Sequence, residues 1–229
     1  TCGAQNALYL VAQLLVSPRD HMEGARVGFE EPGYVDARNI FTLTGARLKP
    51  IPVDDAGMVV DKSLARCDCV YVTPSHQSPT TVTMPMARRV ELLDLAARHN
   101  FSVIEDDYEA EANFVGSPTA ALKSMDQDRN VIYIGSFSKS LAPGLRIGYL
   151  VASETFIREA RMLRRLLLRH PPSNNFIQQQ CERVLHSRHS RGCRGVRLIL
   201  FCEGVRGMVG GNDIDGAIRK SLADGCPII

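Results

Sequence analysis

Residues 130–149 read Asn130-Val131-Ile132-Tyr133-Ile134-Gly135-Ser136-Phe137-Ser138-Lys139-Ser140-Leu141-Ala142-Pro143-Gly144-Leu145-Arg146-Ile147-Gly148-Tyr149. The apolar run Val131 to Ile134 is strand-like. It opens into a segment where Lys139 sits between two serines and Arg146 follows seven residues on. A second apolar segment, Ile147 to Ala152, comes next. In open α/β sheets ligands bind beyond the carboxyl ends of the strands, which is where Ser136 to Lys139 would be delivered. The pattern suits a lysine walled in beside a bound phosphate, and such a lysine can form a Schiff base with a carbonyl compound. A free lysine has a pKa of ~10.4, so a mostly neutral amine near pH 7 needs a fall of ~3 units. Partial burial and a nearby cation both push that way.

Outward from this stretch, the first 180 residues alternate in the α/β manner. Ala7 to Val16 is an apolar-rich helix opening just after Gly3-Ala4-Gln5. Strands are expected over Ala25 to Phe29, Arg47 to Val53, Cys69 to Thr73, Phe101 to Ile104 and Asn130 to Ile134. Helices are expected over Met86 to His99, with Val90, Leu93, Leu95 and Ala97 apolar, and over Glu154 to Leu168, with a basic face. Polar clusters recur after Thr73, after Ile104 and after Ile134, each at the carboxyl end of a strand. The expected fold class is α/β with a mostly parallel sheet. From about Cys181 the pattern lapses into arginines among glycines and histidines. Two regions follow: 1–180 as the α/β domain and 181–229 as an atypical tail, truncated, frame-shifted or poorly ordered. A basic nucleic-acid arm is the competing reading of that tail, but a single aromatic residue, Phe201, interleaves its arginines.

The 229 residues allow a substantial core, and a net charge of +2 implies no bulk field for nucleic acid or membrane. No apolar run approaches the ~20 residues of a membrane span. The seven cysteines are scattered, and Cys67-Asp68-Cys69 is too tight for a zinc knuckle, so reduced thiols in a cytoplasmic protein and no metal are expected. The start, Thr1-Cys2-Gly3-Ala4, has no signal-peptide character and reads as a chain entered in mid-domain.

A phosphate pocket needs backbone N–H groups at a helix N-terminus, hydroxyl donors and a fixed cation. Gly3-Ala4-Gln5, Ser136 with Ser138, and Arg146 supply these in turn. A pyridinium nitrogen needs a buried carboxylate, for which Asp106 is the candidate, while Asp107 would point the other way. Asp106 also fits a turn cap. Tyr108 shares the side of Asp106 if the chain stays extended, within reach of a cofactor's phenolic oxygen, and equally suits core packing. Tyr34, after Pro32-Gly33, can stack on an aromatic ring or pack the loop.

Taken together, Gly3-Ala4-Gln5, Glu31-Pro32-Gly33-Tyr34, Thr73-Pro74-Ser75-His76-Gln77, Pro79-Thr80, Glu105-Asp106-Asp107-Tyr108 and Ser136-Phe137-Ser138-Lys139 occur in the order of fold type I pyridoxal-phosphate enzymes. The chain resembles most the aminotransferase-like domain of MocR-type regulators of the GntR superfamily and their stand-alone aminotransferase relatives. The resemblance covers about residues 1–180 and implies a three-layer αβα large domain, with the small C-terminal domain largely missing. It implies pyridoxal 5'-phosphate as cofactor and Lys139 as the Schiff-base lysine. Asp106 would pair with the ring nitrogen, and Tyr108 and His76 would lie near the ring oxygen. Ala4, Gln5, Ser136, Ser138 and Arg146 would bind phosphate, with Tyr34 stacking on the ring. An amino acid or amine substrate and a homodimer are implied too. DNA contact would need a winged helix-turn-helix, which is expected to be absent from this chain. Thr81 departs from the family, which usually has glycine there, and the expectation is a slightly tighter turn.

Other readings of the lysine motif are poorer. Ser136-Phe137-Ser138-Lys139 fits the Ser-x-x-Lys of penicillin-recognising enzymes, but Lys-Thr-Gly is missing and Ser136 leaves a strand. A P-loop fails because Ser138 replaces a required glycine, and Asp213-Ile214-Asp215-Gly216 lacks the rest of a calcium loop. Two functions stay open: transamination, or a weakly catalytic or non-catalytic effector-sensing domain of a regulator.

Overall fold

The computed structural model describes residues 1–16, 24–108, 119–136 and 147–168. Along these run α1 (Ala4–Leu15), β1 (Arg26–Glu31), α2 (Val35–Leu43), β2 (Arg47–Asp54), β3 (Gly57–Met58) and a 3-10 turn (Lys62–Arg66). Then come β4 (Cys69–Val72), α3 (Met86–His99), β5 (Ser102–Asp107), α4 (Leu122–Met125), β6 (Val131–Ser136), β7 (Gly148–Val151) and α5 (Glu154–Leu167). The sheet has seven strands in the order β3-β2-β1-β4-β5-β6-β7. β2, β1, β4, β5 and β6 are mutually parallel, while β3 and β7 run antiparallel at the two edges. This is the expected α/β fold with a mostly parallel sheet.

Successive side chains on a strand point to opposite faces, so the buried strands divide into two cores. Phe29, Tyr71, Ile104, Ile132, Ile134 and Leu150 face α1, α2 and α5. Val70, Val72, Val103 and Val131 face α3 and α4. Three layers result. Phe29 and Tyr71 stack with centroids 4.5 Å apart, and Phe41 of α2 meets Phe29 edge-on at 6.1 Å. Each such aromatic pair adds about 0.5–1.5 kcal/mol beyond its area burial. The chain leaves β1 through α2 toward β2 on one side, then crosses to β4 on the other and returns through α3 on the opposite face. The winding reverses between β1 and β4, and in such sheets the crevice that takes a ligand lies beyond the carboxyl ends of the strands at that point.

Several elements differ from their sequence reading. The strands β1, β5 and β6 run on through Glu31, Asp107 and Ser136, because these polar ends still pair across the ladder, Asp106 with Ile134 and Asp107 with Gly135. α2 was not expected: it buries only Ala37 and Phe41, one turn apart, and leaves Val35 and Leu43 exposed, so its apolar period is thin. α1 starts at Ala4, three residues ahead of the apolar run. In α3 the buried positions are Arg89, Leu92, Leu95 and Ala96, so of the apolar residues Val90, Leu93, Leu95 and Ala97 only Leu95 is buried, and Val90 and Ala97 face outward. Arg89 takes an inward position because its guanidinium donates to three backbone carbonyls, those of Met84, Pro74 and Ala120, at 2.8–3.0 Å. Among the described residues, no helix is long and apolar enough to cross a membrane.

Candidate functional site

Asp106 lies on β5 facing the α1–α2 layer, two residues beyond Ile104 and next to the crevice. Tyr71 on the neighbouring β4 donates its hydroxyl to Asp106 Oδ2 at 2.7 Å. The other oxygen, Oδ1, is buried without a hydrogen-bond partner among the described residues. Burial pushes the Asp106 carboxyl up to about 6; the Tyr71 bond pulls it down, and the nearby Asp107 raises it further. An orphaned, buried acceptor of this kind suits a ring N–H, since an unmade hydrogen bond in such a place is costly.

The adjacent carboxyls serve the other face, as strand alternation requires. Glu105 accepts the backbone N–H groups of Leu122 and Lys123 at 2.8 and 2.9 Å, fastening the start of α4. Asp107 accepts the Tyr133 hydroxyl at 3.0 Å. Three consecutive acids thus have separate roles, and only Asp106 faces the crevice side.

Tyr108 follows β5 directly and is half-buried. It meets the His76 ring edge-on at 6.0 Å and bonds the Ser78 side chain. His76 and Tyr108 are therefore together at the mouth of the crevice. Tyr34 precedes α2, and its placement depends on Gly33, where a Cβ would fall 2.2 Å from the Glu30 carbonyl oxygen. The Tyr34 hydroxyl and the Gln5 amide both donate to Asp36 Oδ2 at 3.2 Å, so the first turns of α1 and α2 share one carboxylate.

Gly3 precedes α1 with φ 85°, and no side chain caps the helix. Its first N–H groups are the donors a helix N-terminus offers an anion. Thr1 and Gly148 exchange backbone bonds at 2.7 and 3.0 Å, and Gly148 pairs in register with Ser136. A Cβ on Gly148 would sit 2.8 Å from the Gly3 carbonyl carbon. Ala4, Gln5 and Ser136, far apart in sequence, are brought to one edge of the sheet this way. Ser138, Lys139 and Arg146 lie outside the described residues. These features fit pyridoxal phosphate on two counts: the unpartnered Asp106 Oδ1 and the uncapped helix start beside Ser136.

Sequence reasoning missed Tyr71, Asp36, Glu30 and Gln77. Tyr71 reads as one more β-former, and only the register of β4 on β5 aims it at Asp106. Gln77 is fully buried and bonds Pro32, Ser78, Thr80 and Glu30, while its neighbour His76 drew the attention. Thr81 has φ 65°, a left-handed conformation that glycine adopts freely and a β-branched residue does not. That is the physical content of its departure from glycine.

The family model described as aminotransferase class I and II matches residues 2–191. The HTH-type transcriptional regulator TauR of Rhodobacter capsulatus is 46% identical over 172 residues, covering 75% of this chain and 34% of that protein. Aromatic-amino-acid aminotransferase 1 of Thermococcus litoralis is 37% identical over 169 residues, covering 69% of this chain and 39% of that protein. Among solved structures, LysN, the alpha-aminoadipate aminotransferase of Thermus thermophilus complexed with N-(5'-phosphopyridoxyl)-L-leucine, superposes with a TM-score of 0.74 at 30% identity, covering 83% of this chain and 49% of that one. The chain spans about a third of the length of the curated relatives it matches.

Proposed function

Because the chain belongs to the aminotransferase class I and II family, we propose that residues 1–180 form a cofactor domain acting on an amino acid or amine by transamination. Its cofactor is pyridoxal 5'-phosphate. When bound, this group supplies an aldehyde that condenses with amines and a ring that withdraws electrons. The observation that carries the reading is the buried Asp106, with one oxygen held by Tyr71 and the other without a partner among the described residues.

In this reading Asp106 Oδ1 accepts the ring N–H and keeps that proton in place, and Tyr71 fixes the carboxylate's orientation. Tyr34 covers one ring face, while Tyr108 and His76 stand at the oxygen-bearing edge. The start of α1 at Ala4 and Gln5, with Ser136, Ser138 and Arg146, binds phosphate. Lys139 is the amine that anchors the cofactor and moves protons at the substrate carbon. A homodimer completes the assembly.

The 46% identity to a transcriptional regulator supports a second reading, in which the same domain senses an amino compound with little or no turnover. DNA binding then falls to a unit outside these 229 residues. Reconstitution with pyridoxal phosphate tests the common core. A visible absorption band is expected, and it should vanish in Lys139→Ala. An unchanged band in that variant would refute the anchor. Amino-group transfer to an added oxo acid under the same conditions separates the enzyme from the sensor.

A further inference from the structure

Glu30 closes β1 at the crevice and is only 1% exposed. Its Oε2 accepts three bonds: the Thr73 hydroxyl at 2.6 Å, the Thr73 N–H at 3.3 Å and the Gln77 amide at 3.3 Å. Its Oε1 is buried with no partner among the described residues. Gln77 also ties its own turn to the connection between β1 and α2. It donates to the carbonyls of Pro32 and Ser78 and accepts from both the N–H and the hydroxyl of Thr80. The segment 74–85 therefore hangs from Glu30 through Thr73 and Gln77, and it carries His76 and Ser78 to Tyr108.

Among the described residues the charges around Glu30 are one-sided. Asp106 on β5 repels it, and the hydroxyls of Tyr71 on β4 and of Tyr108 also lie within electrostatic reach. His76, the one titratable side chain of segment 74–85, stacks edge-on against Tyr108. No lysine or arginine among the described residues forms an ion pair with Glu30. An ionised carboxylate buried without a cation is expensive, and a bare oxygen is where an acid carries its proton.

We propose that Glu30 is a positioning residue kept as the neutral acid, with its proton on Oε1. In that form it hangs segment 74–85 on β1 beside Asp106. Burial pushes both carboxyls up, Glu30 to about 7 and Asp106 to about 6. The bearing of this neutral group on a bound cofactor rests on the pyridoxal phosphate reading. The protonation of Glu30 does not.

The test therefore uses the cofactor-free full chain. Thermal unfolding is followed from pH 5 to 8.5 for the wild type, Glu30→Gln and Thr73→Val. A carboxyl whose folded pKa is raised stabilises most below its unfolded value, and that stability is lost as pH rises through about 7. Glu30→Gln, with the size and neutrality of the acid, should remove Glu30's share of this fall, leaving the share of Glu105, which burial also raises to about 7, and should match or exceed the wild type at pH 8.5. Thr73→Val removes a donor from Oε2 and should move the fall to higher pH. The infrared acid-carbonyl absorbance of the wild type at pH 6 should exceed that of Glu30→Gln. A constant offset between Glu30→Gln and wild type across the pH range, a glutamine variant that does not fold, or an unmoved fall in Thr73→Val would each overturn the proposal. Loss of the Lys139-dependent band with these pH steps intact would count against the cofactor reading alone.

Discussion

Replacing Tyr71 with phenylalanine removes one oxygen from a fully buried ring and keeps its stack on Phe29. What is lost is the 2.7 Å bond to Asp106 Oδ2. A hydrogen bond to an ionised carboxylate contributes about 1.5–3 kcal/mol, and one between neutral groups about 0.5–1.5 kcal/mol. Asp106 changes between these states near about 6, so the cost of the substitution depends on pH. Its carboxyl is raised from 3.8 to about 6 in the folded chain. Its proton therefore favours folding fully below the lower value, and that contribution is lost as pH rises through the higher one. Without Tyr71 the ionised form loses its donor, and the folded pKa rises by about one further unit, since one unit is ~1.4 kcal/mol. At pH 8 the variant should lose about 1.5–3 kcal/mol, or roughly 3–12 °C in Tm for a domain of this size. At pH 5 the loss should be about half as large. Melting curves of the cofactor-free chain at both pH values measure it. Equal losses at pH 5 and pH 8 would refute the assigned bond to an ionisable Asp106.

Two further substitutions probe how the crevice is supported. Thr81→Gly relieves a left-handed threonine that costs ~1–2 kcal/mol and returns ~0.5–1 kcal/mol of unfolded-chain freedom, so a gain of roughly 0.5–1 kcal/mol is expected. A lower melting temperature would contradict the strain. Arg89→Ala strips three carbonyls of their donor and should cost at least about 3 kcal/mol in denaturant titration. Arg89→Lys should recover little of it, because an ammonium cannot reproduce the planar fork. A cost of Arg89→Ala under ~1 kcal/mol would show that the carbonyls find other partners.

The alternation of apolar strands with amphipathic helices was enough for the α/β class, because a parallel sheet covered on both faces needs near-continuous apolar strands such as Val131 to Ile134. The motifs around Gly3, Tyr34, Asp106 and Ser136 named the candidate site in the same way: each couples a chemical group to a strand end or helix start, which local pattern reveals. Arg89 and Tyr71 mark the limit of that legibility. An arginine inside and a valine outside on α3 invert the usual rule, and only the carbonyls of Met84, Pro74 and Ala120 converging there make it favourable. Tyr71 has the appearance of any strand aromatic until β4 pairs with β5.

By itself the sequence determined the α/β class and the order of the candidate site motifs, because these depend on residue type and short-range spacing. The tertiary structure alone decided which polar groups are left unsatisfied. Among the described residues Asp106 Oδ1 and Glu30 Oε1 have no hydrogen-bond partner, while Asp107 and Glu105 turn to the far face. The reason is physical: hydrogen-bond satisfaction and the protonation of a buried carboxyl depend on distance and solvent access across strands, and neither is written in any local window of the chain.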